Sequence, residues 1–82
     1  MTVLNTLEET VREGHPASSR AMACAIYRRV SQMLADGQPP QAIYDALDVL
    51  YRRFRDDGHP IERDAMVEAL DWFEDEGILQ TA

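Results

Sequence analysis

Histidine and carboxylate side chains are the groups in this sequence best suited to chemistry, and two histidines recur in one local frame. His15 and His59 each stand between a glycine and a proline, in Gly14-His15-Pro16 and Gly58-His59-Pro60, with Glu13, Asp56 and Asp57 close by. If both loops lie at one end of a helical bundle, the imidazoles approach each other and offer ligands to a divalent metal. Two histidines lack the close spacing that marks a zinc motif, and a closed site takes four ligands. The plainer expectation is that each histidine, just past a helix end, helps to satisfy the last carbonyls. No metal or other cofactor is expected.

Nothing else supplies a reaction. Cys24 has Arg20 one turn away, which favours a thiolate, but no base stands beside it in sequence to orient a nucleophile. The chain has no Gly-rich phosphate loop and no Ser-His-Asp arrangement. Its many carboxylate pairs lie on an exposed helix face, without the burial that separates two pKa values. Enzymatic turnover is not expected.

The residues that could recognise a partner are concentrated near the end of the chain. Asp64, Glu68, Asp71 and Asp75 follow one another at intervals of four, three and four, which stacks them into one ridge on a helix. Seven acids and the single cation Arg63 leave residues 61–82 at −6, whereas residues 17–35, with Arg20, Arg28, Arg29 and no acid, stand at +3. Such segregation pairs the two segments within or between subunits, or presents an acidic face to a basic partner. Acids spaced roughly 6 Å apart also approximate phosphate spacing, so a nucleic-acid mimic is conceivable.

The same helix carries the chain's only tryptophan. At 100° per residue, Trp72 falls far from the Met66, Leu70 and Phe73 stripe and on the side of Ile61 and Ala65. This second apolar face is covered within the chain by the first helix or the Ile78-Leu79 tail, by a second copy, or by a foreign partner. A third candidate surface is the flank of Tyr44, Asp48, Tyr51 and Arg55, whose tyrosines and arginine suit either recognition or the rim of a bundle.

The elements that must position these groups are marked by glycine and proline. Glu13-Gly14-His15-Pro16, Asp36-Gly37-Gln38-Pro39 and Asp57-Gly58-His59-Pro60 repeat one stop signal, and Glu76-Gly77 gives its first half. The stops predict helices over about 3–13, 17–35, 40–57 and 61–76, with the first starting at Thr2 or at Asn5-Thr6. Ser18 or Ser19 caps the second, and Pro39-Pro40 opens the third. No stretch alternates at period two, so no sheet is expected.

Each helix carries an apolar stripe: Leu4, Leu7 and Val11; Met22, Ile26, Val30, Met33 and Leu34; Ile43, Leu47, Leu50 and Phe54; Met66, Leu70 and Phe73. The expected fold is all-α, a small antiparallel bundle of four helices in one domain over 1–82. It comprises a three-helix core with the short first helix laid across it. Ile26-Tyr27-Arg28-Arg29-Val30 is echoed by Leu50-Tyr51-Arg52-Arg53-Phe54, out of register with the stops, and reads as shared helix grammar.

Composition bounds the function. With 82 residues there is room for one domain, and one cysteine cannot form an intramolecular disulfide. No apolar run is long enough for a membrane span and no signal peptide is visible, so a cytoplasmic protein is expected. All eight cations are arginine and the net charge is −7, which argues against a generic nucleic-acid binder. The leading expectation is a non-enzymatic protein–protein interaction module, self-associating as a homodimer. It binds a protein partner with a basic surface through the Trp72 face and the acidic ridge. The second is a helix-turn-helix-type DNA-binding regulator using Arg20, Arg28, Arg29, Arg52, Arg53 and Arg55.

Overall fold

The structure, a computed structural model, describes residues 2–13 and 18–78. Four helices follow in order: α1 (Val3–Glu13), α2 (Ser19–Ala35), α3 (Pro40–Asp56) and α4 (Pro60–Asp75), with no strand among the described residues. The fold is all-α, as the stop signals predict. Thr2 caps α1, its hydroxyl accepting the Asn5 N–H at 3.2 Å, so Asn5 and Thr6 lie inside the helix. Starting there brings Leu4 into the same apolar stripe as Leu7 and Val11. Ser18, and not Ser19, caps α2 by accepting the Ala21 N–H at 3.2 Å. Prolines fill the first position of α3 and α4, where no amide partner is lost.

Two of the predicted stops are built alike. At the end of α2, Gly37 donates to the Leu34 carbonyl and Gln38 to that of Met33, at 3.1 and 3.0 Å. At the end of α3, Gly58 donates to Arg55 and His59 to Phe54, at 3.4 and 2.9 Å. These are Schellman closures, which need a left-handed residue after the helix, and Gly37 adopts φ +90°. A Cβ there would touch nothing within 4 Å, so only the backbone conformation resists substitution. Gly37→Ala is therefore expected to destabilise the fold by about 1–2 kcal/mol, measurable as a lower urea midpoint at unchanged slope. A loss below about 0.3 kcal/mol would contradict this account of the turn.

Packing places α4 between α2 and α3, with α1 seated between the same two helices on the other side. Contacts fix the sense of α3 and α4: Tyr44 meets Phe73, and Phe54 at the far end of α3 meets His59 just before α4. That pair is antiparallel, as a short loop requires. Contacts of α2 with α4 advance together instead, Arg20 opposite Glu68 and Tyr27 opposite Trp72.

The first helix does more than lie across a three-helix core. Leu7 is 0% exposed and joins Ile26, Val30, Ile43, Leu47, Leu50, Met66 and Phe73 in one buried cluster, so all four helices build the core. Thr10, the one buried polar side chain there, donates to the Thr6 carbonyl at 2.9 Å and accepts from Arg29 Nε at 3.3 Å. Among the described residues no buried side-chain polar atom lacks a partner.

The five-residue echo also has a structural counterpart. Ile26 and Leu50 are both buried, and Tyr27 and Tyr51 are both half-buried at the rim of the core. Arg29 and Arg53 both reach α1, the first to Thr10 and the second to Glu8 at 2.6 Å. The matching runs thus let α2 and α3 clasp α1 in similar ways.

Candidate partner-binding site

Because α4 is sandwiched, both of its apolar faces are occupied within the chain. Ala65, expected on a partner-binding face, is 0% exposed and part of the core. Trp72 is half-buried. Its ring lies 5.0 Å from that of Tyr27, tilted by 43°, and 5.5 Å from that of Phe73, edge-on at 85°. The cover comes from α2, through a tyrosine that helix periodicity alone had not marked as Trp72's neighbour. Leu79, half of the expected covering tail, lies outside the described residues. Ile61 alone of the three is exposed, at 40%. The Ile61, Ala65 and Trp72 face is therefore corrected: an isolated isoleucine, a core alanine and the edge of a paired indole do not form one open apolar surface.

What remains beside Trp72 is a groove between α2 and α4, lined by Tyr27, Glu68, Asp71, Trp72, Asp75 and Glu76. It is shallow and open, and two aromatic rings and four carboxylates line it. The acidic ridge divides along its length. Arg63 holds Asp64 at 2.9 Å, and Arg20 of α2 approaches Glu68 at 3.8 Å. The expected pairing of the second and fourth helices is thus present at one contact. That arginine is 86% exposed, so the attraction is weak. Asp71, Asp75 and Glu76 have no cationic partner among the described residues.

Two of those acids, Asp75 and Glu76, also stand against the helix dipole. The last turn of α4 holds no basic residue, while Asp75 ends the helix and Glu76 follows it. Helix carbonyl ends carry partial negative charge, equivalent to about half an elementary charge, so carboxylates there are unfavourable. The negative field reaches the groove wall: burial pushes the Tyr27 hydroxyl above its usual value near 10, and Glu68 raises it further. On the other side of α4, burial and the hydrogen bond to Glu74 raise Tyr44 in the same direction.

A tyrosine raised on folding favours the neutral phenol, so its contribution is present below about pH 10 and is lost as pH climbs through the folded value. Stability of the wild type is thus expected to fall between pH 9 and 11, and to fall less in the Tyr27→Phe/Tyr44→Phe double variant. Denaturant midpoints at both pH values check this, and equal losses in the two proteins would contradict it.

The third candidate surface is a tied rim. Tyr44 donates to Glu74 Oε1 at 3.1 Å and meets Phe73 edge-on at 6.0 Å. Tyr51 lies under the Arg55 guanidinium at 5.7 Å, while Arg55 also donates to Asp56 at 3.2 Å. Asp48 pairs with Arg52 at 3.2 Å. Tyr44, Asp48 and Arg55 thus each have a polar partner nearby.

Most of the arginines counted for DNA contact have a carboxylate nearby, in exposed and therefore weak pairs. Arg52, Arg53 and Arg55 each face a carboxylate on α1 or α3, and Arg20 faces one on α4. Arg29 points to Thr10, and Arg28 makes no ion pair among the described residues. At the histidines, His59 Nδ1 lies 3.4 Å from Glu62 and its ring meets Phe54 edge-on at 6.1 Å, the contact that accompanies a Schellman closure. His15 lies outside the described residues, and no cluster of three or more metal-ligating side chains occurs among those described. Cys24 is free and exposed on α2. Among the described residues no helix is long and apolar enough to cross a membrane.

The chain matches no family model, no curated protein and no solved structure.

Proposed function

We propose that the protein is a non-enzymatic interaction module whose α2–α4 groove receives a basic, arginine- or lysine-bearing segment of a protein partner. One observation carries this reading: three carboxylates without a cation stand at the carbonyl end of α4 beside a Tyr–Trp pair. A guanidinium entering the groove would meet the charge that Asp71, Asp75 and Glu76 leave uncompensated, and could stack on the half-exposed rings. The mechanism is occupancy, with steering by the acidic field and no turnover.

This arrangement sacrifices some stability, which gives the test its sharpness. Asp75→Asn/Glu76→Gln removes two charges that oppose the dipole, so each change is expected to stabilise the fold by roughly 0.3–1 kcal/mol at low salt. The same variant should bind an arginine-rich peptide about tenfold or more weakly, read by calorimetric titration at 50 mM salt. Stabilisation with unchanged binding would mean that the acids are merely solvated. Absence of peptide binding to the monomeric protein would remove the reading.

A further inference from the structure

Arg28 stands on the outward face of α2, where it lines a shallow depression toward α1 with Thr10, Glu13 and Arg29. It follows Tyr27 in α2, so its side chain leaves the helix about 100° round from the one that stacks on Trp72. It is exposed and pairs with no carboxylate among the described residues. One turn to either side, Cys24 and Ser31 are also exposed, and α2 carries no acid. The outward face of α2 is therefore an unpartnered helix face with small side chains, a free guanidinium and net positive charge. Tyr27, on the α4 side of the same helix, separates it from the groove that holds the free carboxylates.

Two complementary patches on one continuous surface have a geometric consequence. A two-fold axis over such a surface carries each basic patch onto the acidic patch of the other copy, and the contact closes on itself. Patches on opposite sides of a molecule would instead propagate head to tail. We infer that a second copy of this chain docks across the outward face of α2, with Arg28 of each copy entering the other copy's groove at Asp71 and Asp75. The small side chains on the face let the two α2 helices approach closely, and each arginine then satisfies acids that have no cationic partner among the described residues of their own chain.

This inference rests on the groove being a site for basic side chains, and the experiment separates the two. Sedimentation velocity of the wild type across micromolar concentrations at 50 mM salt is expected to show a monomer–dimer equilibrium that weakens at 500 mM salt. Arg28→Glu should weaken dimerisation at least tenfold, and so should Asp71→Arg/Asp75→Arg. An equimolar mixture of these two variants should dimerise again, because each interface then pairs opposite charges. The Arg28→Glu protein, freed of its partner, should still bind the arginine-rich peptide.

A wild type that stays monomeric throughout while binding the peptide overturns the dimer and leaves the groove reading intact. Failure of the peptide to bind Arg28→Glu removes the groove reading itself. Dimerisation that is unaffected by Arg28→Glu, or a mixture that stays monomeric, also overturns the inferred interface.

Discussion

Phe73→Ala is expected to destabilise the protein by about 3–5 kcal/mol, leaving much of the chain unfolded or close to it at room temperature. Phe73 is 0% exposed on α4 and touches the rings of both Tyr44 and Trp72. Truncation removes a ring's worth of buried apolar surface and opens a cavity that the flanking α2 and α3 cannot readily close. It also loosens Trp72 from the side opposite Tyr27. Domains of this size hold only about 5–15 kcal/mol in total, so the loss is a large share of the whole. Urea denaturation followed by helical circular dichroism measures it. Val67→Ala on the same helix, at a position 38% exposed, serves as the control and should stay within about 0.5 kcal/mol of wild type. Equal losses at the two positions would contradict the placement of α4 between α2 and α3.

Leu7→Ala should cost about 2–5 kcal/mol, the range for removing an aliphatic side chain from a closed core. The sequence offers α1 only the thin stripe of Leu4, Leu7 and Val11, which suits a helix resting on a core made by others. The structure buries Leu7 completely among residues of the other helices, while Leu4 and Val11 remain partly exposed at the edge. Leu4→Ala is accordingly expected to lose clearly less than Leu7→Ala. The ion pair of Glu8 with Arg53 does not substitute for this burial. Its arginine is 54% exposed, which places it among pairs worth about 1 kcal/mol or less. If Leu7→Ala behaved like Leu4→Ala, α1 would be an appendage and the four-helix core would be wrong.

The helices and their ends were legible because glycine and proline act locally. Only glycine readily takes the conformation at Gly37 and Gly58, and a proline two residues on ends the pattern, so no knowledge of the partner helices is needed. Thr2, Asn5 and Thr6 were ambiguous as caps for the opposite reason: several good capping residues within one turn compete, and packing of Leu4 decides.

Tertiary neighbours were not legible. Periodicity shows that Trp72 points away from the Met66 and Phe73 stripe, but not that Tyr27, 45 residues earlier, stands opposite. Ala65 looked available because a helix with two apolar faces and a helix with one core face and one docking face have the same pattern. Which holds depends on how many neighbours the helix acquires. Charge counting had the same limit. The ridge Asp64, Glu68, Asp71, Asp75 is continuous in sequence spacing, yet Asp64 pairs with Arg63, Arg20 approaches Glu68 weakly, and Asp71 and Asp75 have no cationic partner among the described residues.

The central claim is the location of the binding site, and a map of amide resonances tests it most directly. On titration of isotope-labelled protein with an arginine-rich peptide at low salt, the largest shifts are expected at Tyr27, Glu68, Asp71, Asp75 and Glu76 and at the Trp72 indole N–H. Shifts confined to the α1–α3 side around Glu8 and Arg53, or no shifts at all, would contradict it.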